Sequence, residues 1–165
     1  MYQKVVIIFS LLLFQNPSFG FNAKNADIDI ESKELEVFIN ENKAKFTGNV
    51  VAKQNDFIVK SDELILFFHK DKMEKVIFLN NVKIHAGNQV AYGDRGEYSQ
   101  NNPIFKLTGK VHLMQNHHEF RGDIFTYNVK TKEASISTIK DGKVIGKKRR
   151  VKAKFNSNLK ANVSS

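Results

Sequence analysis

An internal repeat is the feature that most constrains the fold of this chain. The segment 47–55 returns 61 residues later as 108–116, and the segment 60–66 returns at the same offset as 121–127. Weaker copies lie at residues 32–37, 80–84 and 93–98. The chain after residue 20 is therefore a string of units of about thirty residues, and such units bury their apolar faces by stacking on their neighbours.

Within each unit the apolar residues recur at every second position, which is typical of strands with one buried face. Turn segments at residues 54–56, 80–81 and 101–103 are predicted to separate the strands. The sequence therefore predicts an all-β protein, either a solenoid or an elongated two-sheet roll. The residues predicted to face inward are Leu35, Val37, Phe46, Val50, Leu64, Leu66, Phe78, Val82, Ile84, Tyr98, Leu107, Val111, Leu113, Phe125 and Tyr127.

The N-terminal segment has the composition of an export signal. Lys4 precedes an apolar run at residues 5–14, Pro17 ends the run, and small residues stand at Ser18 and Gly20. A run of ten residues is too short to span a bilayer as a helix but fits the apolar core of a signal peptide. We expect cleavage after Gly20, with a retained inner-membrane anchor as the alternative.

Charge points to an anionic partner without identifying it. Lysine and arginine outnumber the acidic residues, for a net charge of +9, which suits nucleic acid, a lipid headgroup or a membrane surface. The run Lys147, Lys148, Arg149 and Arg150 is either a solvated tail or a contact for phosphorylated headgroups. We predict no nucleic-acid partner, because only Phe155 accompanies these basic residues.

No motif in the sequence predicts catalysis. Asp62, Asp94 and Asp123 hold equivalent places in three units, which favours a repeated structural role over paired catalytic carboxylates. His117 and His118 would point to opposite faces of a strand, so they do not predict a shared metal ion. The absence of cysteine removes disulfides, thiolate metal sites and cysteine nucleophiles. We therefore expect no enzyme activity, no cofactor and no metal site.

The repeated pattern resembles the OstA-like family. Its most specific piece is residues 45–51, which read Lys-Phe-Thr-Gly-Asn-Val-Val, and a small residue followed by aspartate opens the other half of each unit. The resemblance covers residues 26–142, with Leu79 and Asn80 in place of Thr-Gly in the middle copy and an unusually basic segment past residue 146. It divides the chain into a signal peptide at 1–20, an OstA-like domain at 21–146 and a basic, flexible tail at 147–165.

The resemblance implies an elongated, open-ended antiparallel β-jellyroll whose interior holds the acyl chains of lipid A. The inward-facing residues would then line a groove for lipopolysaccharide in the periplasm. The family's implied partners are an inner-membrane transport complex with its anchored bridge protein, the N-terminal domain of an outer-membrane translocon, and further copies joined head to tail. Two alternatives stay open. One is a membrane-anchored bridge component of the same pathway, and the other is an exported structural or adhesion protein without lipid cargo.

Overall fold

The computed structural model describes residues 28–70, 72–139 and, for the backbone only, 152–154. The strands are β1 (Asp29–Glu31), β2 (Glu34–Phe38), β3 (Lys43–Gln54), β4 (Phe57–His69), β5 (Lys72–Ala86), β6 (Gln89–Ser99), β7 (Ile104–Gln115), β8 (His118–Asn128), β9 (Ala134–Ser137) and β10 (Lys152–Lys154). A short 3-10 helix at Ile39–Glu41 connects β2 to β3. Among the described residues, no helix has the length and apolar content needed to cross a membrane.

All ten strands pair antiparallel in one sheet, and β3 to β8 follow one another in space as they do in sequence. At one edge β1 and β2 both pair with β3, and at the other edge β9 and β10 both pair with β8. Each edge therefore consists of two short strands that share one long neighbour. This arrangement confirms the prediction of an open, all-β antiparallel jellyroll.

The long strands bend near their middles. Register shifts lie between Thr47 and Val50 in β3, between Leu79 and Val82 in β5, and between Thr108 and Val111 in β7. The two bulged residues in each strand have positive φ and face a single aspartate on the next strand. A bulge of this kind bends a strand and increases its twist. We call the line through these bulges the bend.

The bend divides the sheet into two arms. The first arm contains residues 43–47, 63–69, 72–79, 95–99, 104–108 and 124–128. The second arm contains residues 50–54, 57–61, 82–86, 89–93, 111–115 and 118–122. Phe57 ends the second arm and Phe105 lies near the end of the first, yet their ring centroids are 6.4 Å apart. The sheet is therefore folded at the bend so that its two arms face each other.

The prediction that Asn80 and Asn81 form a turn between strands is wrong. Both residues lie inside β5, where their φ angles of 61° and 51° build the bulge. Asparagine tolerates the left-handed region in turns and in bulges alike, so its presence does not distinguish the two. The turn predicted at residues 101–103 does lie between strands, as do residues 55–56 of the turn predicted at 54–56, whereas Gln54 is the last residue of β3.

Two of the three repeated aspartates make side-chain hydrogen bonds at the bend. Asn81 Nδ2 donates a hydrogen bond to Asp62 Oδ2 at 2.7 Å, which links β5 to β4. Asp123 Oδ2 accepts a hydrogen bond from the backbone N–H of Ile139 at 2.8 Å. These contacts agree with the structural role expected for the aspartates, although each lies inside a strand rather than in a turn.

Several expectations fall outside the described residues. These are the signal peptide at 1–20 and the basic residues Lys147 to Arg150. Strand β10 lies within the segment expected to form a tail, and its backbone pairs with Glu119–Arg121 of β8. The sheet therefore draws on residues beyond 146, because the edge of β8 still offers unpaired backbone groups there.

Candidate functional site

The antiparallel register arranges the inward-facing side chains in rows that run across the strands. In the first arm, the row beside the bend is Phe46, Leu64, Phe78, Gly96, Leu107, Phe125 and Ile136. In the second arm, one row is Ala52, Val59, Ile84, Ala91, Leu113 and Phe120. The last row of the second arm is Gln54, Phe57, Ala86, Gln89, Gln115 and His118. Together these rows form one apolar interior that runs from β3 to β8.

The structure buries most of the residues predicted to face inward. The twelve that are buried are Val50, Leu64, Leu66, Phe78, Val82, Ile84, Tyr98, Leu107, Val111, Leu113, Phe125 and Tyr127. Phe46 is partly buried and packs against this core. The period-two pattern therefore identified the interior face correctly on every long strand.

Leu35 and Val37 are corrections to that set, because 55% and 65% of their surfaces are exposed. Both lie on the edge strand β2, where Leu35 stands opposite Phe46 and Val37 opposite Ala44. They share the interior side of the sheet with these partners, but among the described strands β2 pairs with β3 alone. A residue at the end of a stack lacks the next unit that would cover it, so periodicity alone overestimates its burial.

The structure adds interior residues that the sequence analysis did not select. Phe57, Val59 and Phe120 are at most 2% exposed, and continuing the alternation along their strands would have found them. Gln54 and Gln115 are also buried, at 4% each. They occupy equivalent positions of the repeat, and this equivalence could have predicted that both are buried. Glutamine is mostly exposed in folded proteins, so its residue type alone predicts the opposite.

The side of the roll opposite the bend is closed by side chains, and we call it the seam. Phe57 and Phe105 meet there edge to face at 83°. Tyr98 and Tyr127 lie near the outer end of the first arm, and burial raises the pKa of both hydroxyls. Aromatic pairs of this geometry contribute about 0.5–1.5 kcal/mol beyond the area they bury. Side-chain contacts such as the one between Phe57 and Phe105 therefore contribute to closing the seam.

A row of basic and aromatic residues crosses the outer face of the second arm. Lys60, Lys83, Tyr92, His112 and Arg121 are successive neighbours in the register. The Lys83 ammonium lies 5.4 Å from the Tyr92 ring centroid, and the Tyr92 and His112 rings stack at 6.0 Å. Within the described part of the chain, neither Lys60 nor Lys83 forms an ion pair. We call this set the cationic row.

The pKa values of one glutamate and one histidine near the cationic row are shifted. A hydrogen bond from Arg121 lowers the pKa of Glu119, whose carboxylate lies 3.4 Å from both Arg121 Nη2 and His112 Nε2. Burial, followed by the charges of Lys83 and Lys60, lowers the pKa of His85. Both shifts have the sign expected beside a positively charged surface.

The described residues present little that resembles a reaction centre. A pocket of about 310 Å³ lies at the bend and is lined by Asn49, Val50, Val51, Lys60, Ser61, Asp62 and Asn81. The carboxylate in this pocket, Asp62, accepts a hydrogen bond from Asn81 across the bend. No group of three histidine, aspartate or glutamate side chains within the described ranges is placed to hold a metal ion. The apolar interior is therefore the strongest candidate for a functional site.

Comparison with known proteins gives a family and a fold. The family model described as "LptA/(LptD N-terminal domain) LPS transport protein" matches residues 29–133. One similar solved structure is that of LptH from Pseudomonas aeruginosa, described as the LptA homologous periplasmic component of the conserved lipopolysaccharide transport device. The two chains are 16% identical with a TM-score of 0.67, over 79% of this chain and 95% of LptH. No curated protein matches this chain.

Proposed function

Because the chain belongs to the LptA/LptD N-terminal domain family of lipopolysaccharide transport proteins, we propose that it carries lipopolysaccharide across the periplasm with the lipid A acyl chains held between the two arms. The match at residues 29–133 includes every long strand of the roll. The observation that carries the proposal is the apolar interior, which continues without interruption from β3 to β8. The periplasmic location is supported by the description of LptH.

A carrier of this kind needs no catalytic group. Burying hydrocarbon is worth about 0.8 kcal/mol per CH2, so a chain of about ten CH2 groups gains about 8 kcal/mol on leaving water. Moving that chain from one interior to an identical one changes its free energy very little. Lipid therefore passes along a stack of rolls in the direction set by an external energy source.

The arms must separate before a chain can enter, because the interior side chains are already buried. The seam is the natural place for this separation, since it joins the outer ends of the arms through side chains such as Phe57 and Phe105 rather than through sheet hydrogen bonds. Separating this pair exposes two aromatic side chains, at about 1.5–3 kcal/mol each, and removes about 0.5–1.5 kcal/mol of specific attraction. The gain of about 8 kcal/mol from burying one acyl chain exceeds that cost. Lipid binding can therefore replace the seam contact.

The two edges of the sheet suit the bridging part of the proposal. Leu35, Val37 and Ile39 are exposed beside the β2 edge, and Ile139 is 56% exposed beyond the β9 edge. An exposed strand edge is a template for adding a strand from another chain. The partners proposed for these edges are further copies joined head to tail, the anchored bridge protein of an inner-membrane transport complex, and the N-terminal domain of an outer-membrane translocon.

Site-specific photo-crosslinking tests the lipid-binding part of the proposal. A benzophenone side chain placed at Leu66 or Tyr127 would lie in the interior, whereas one at Lys106 would lie on the outer face of β7. We expect the first two variants to capture lipopolysaccharide in cells and the Lys106 variant to capture none. Capture at Lys106 alone would reverse the assignment of the two faces.

A structural role without lipid cargo is the second candidate, and the closed seam favours it. Side chains fill the interior to the extent that Val59, Ile84 and Phe105 are fully buried. A structural protein would keep this packing permanently. If no interior crosslink contains lipid and no lipid accompanies the protein on native extraction, this second function replaces the first.

A further inference from the structure

The last interior row of the second arm contains three buried glutamines. Gln54, Gln89 and Gln115 are 4%, 3% and 4% exposed, and each follows the inward-facing phase of its strand. Gln89 stands directly opposite Gln115 in the register and opposite Ala86 on the other side. Every other row of the interior is almost wholly apolar. The polar side chains of the interior are therefore concentrated along the seam.

Burial of an amide is unfavourable unless its polar atoms are hydrogen-bonded. Gln89 Oε1 is buried and has no hydrogen-bond partner among the described residues. The oxygen belongs to a side chain that points to the same side as Ala91, which is completely buried. An acceptor in this position lacks a donor from the described residues, and a ligand held between the arms could supply one.

The position of Gln89 relative to a bound lipid follows from the fold. Gln89 begins β6 immediately after the turn at Gly87 and Asn88, so it marks the limit of the interior on the second arm. A lipid whose acyl chains enter where the arms separate has its headgroup at the seam. The atoms that join its chains to the polar headgroup would then lie beside Gln89.

We propose that Gln89 Oε1 accepts a hydrogen bond from a hydroxyl or amide N–H group at the polar end of an acyl chain held in the roll. The inference rests on the proposed function, because it places the lipid in the interior. It also predicts which kinds of acyl chain the protein binds more tightly. An amide-linked or hydroxylated acyl chain can donate to this oxygen, whereas the ester-linked chain of an ordinary phospholipid has no donor at the same point.

The preference can be measured with two lipids and two variants. Gln89→Met keeps the length of the side chain but removes the acceptor, and Gln100→Met makes the same change at an exposed position. Binding is measured by fluorescence titration with purified lipopolysaccharide and, separately, with phosphatidylglycerol in detergent micelles. We expect Gln89→Met to weaken lipopolysaccharide binding by about two- to tenfold, the range for one lost hydrogen bond, and to leave phosphatidylglycerol binding unchanged. Gln100→Met should match the wild type with both lipids.

The outcomes separate this inference from the proposed function. A wild-type protein that binds no lipopolysaccharide overturns both. A wild-type protein that binds it, with Gln89→Met binding equally well, overturns only the role of Gln89 and means that water satisfies the oxygen. Equal weakening for both lipids also overturns it, because the substitution would then have altered the packing of the seam.

A measurement on the wild-type protein tests the same hydrogen bond without relying on the folding of a variant. The side-chain amide of Gln89 gives its own nitrogen–proton NMR signals, which can be assigned in labelled protein. We expect these signals to shift on addition of lipopolysaccharide and to remain in place with phosphatidylglycerol. Signals that respond identically to the two lipids would contradict the proposed hydrogen bond.

Discussion

The two arms of the roll are built from the same strands, yet their outer faces carry charge differently. On the first arm, Lys45 lies 3.0 Å from Glu63, and Glu97 accepts contacts from Arg95 at 3.0 Å and Lys75 at 3.9 Å. On the second arm, the cationic row places like charges directly opposite each other. The bend allows one strand to present a neutralised surface on the first arm and a positive one on the second arm. The charge on the outer face of a strand therefore varies along its length without changing the apolar character of its inner face.

Both arms, in contrast, contain fully buried apolar side chains, and these give the largest expected effect. Leu64 in the first arm and Ile84 in the second are both fully buried. We expect Leu64→Ala and Ile84→Ala each to lower the free energy of unfolding by about 2–5 kcal/mol, through lost burial and the cavity left behind. Urea denaturation followed by circular dichroism measures both. A loss confined to one variant would mean that the arms unfold separately.

The bend that joins the arms gives the next effect. Gly109 has a φ of +83°, and an added Cβ would lie 2.3 Å from Asp94 Oδ2. Gly109→Ala should therefore cost more than the about 1 kcal/mol expected from strain at positive φ alone. Gly87→Ala is the matched control, because its φ is +58° but nothing lies within 4 Å of the added atom. Equal melting temperatures for the two variants would show that the close approach of Asp94 to residue 109 does not affect stability.

The cationic row predicts a smaller effect of the opposite sign. Lys60 and Lys83 face each other across β4 and β5, and like charges in that position destabilise a sheet by about 0.2–1 kcal/mol. Lys60→Gln, which leaves the contact between Lys83 and Tyr92 in place, should therefore raise the melting temperature at low salt and reduce its dependence on salt. Lys45→Gln on the first arm removes a paired charge and should not raise it. A higher melting temperature for both variants would indicate a general effect of net charge.

The smallest effect concerns pH. Burial, then Lys83 and Lys60, lower the pKa of His85 from its ordinary value of 6.5. The unfolded chain then binds the proton more readily, so the stability contribution is present above pH 6.5 and decreases as the pH falls through the folded pKa. Titration by NMR should show the His85 pKa rising in Lys83→Gln and unchanged in Lys75→Gln, whose charge lies on the first arm. No response to Lys83→Gln would remove Lys83 from the causes and leave burial and Lys60.

Much of the interior could be predicted because alternation in a strand fixes which side each residue faces. Leu64 and Val111 follow that rule, and a one-residue error would have reversed every assignment on their strands. The repeat supported these assignments, because the apolar residues alternate at equivalent positions in every unit.

The bend and the ends of the stack could not be predicted in the same way. Asn80 and Asn81 have the composition of a turn, and only the hydrogen bonding on both sides of them shows that β5 continues through. Leu35 and Val37 keep the correct phase, but their burial depends on whether another unit follows, which is a property of the neighbour. Gln89 requires both the register and the closed seam before its burial can be recognised.

The order of the sheet also has a consequence for how the chain folds. Each strand from β3 to β8 pairs with the strand next to it in sequence, so every hairpin can form before the rest of the chain is available. Nucleation can then begin at any hairpin and spread toward both ends, as in other linear repeat proteins. Duplication of a two-strand unit would lengthen the roll by about 9.6 Å, two strand spacings, and would leave both terminal strands as they are. Length in such a protein is therefore an adjustable quantity that changes by whole units.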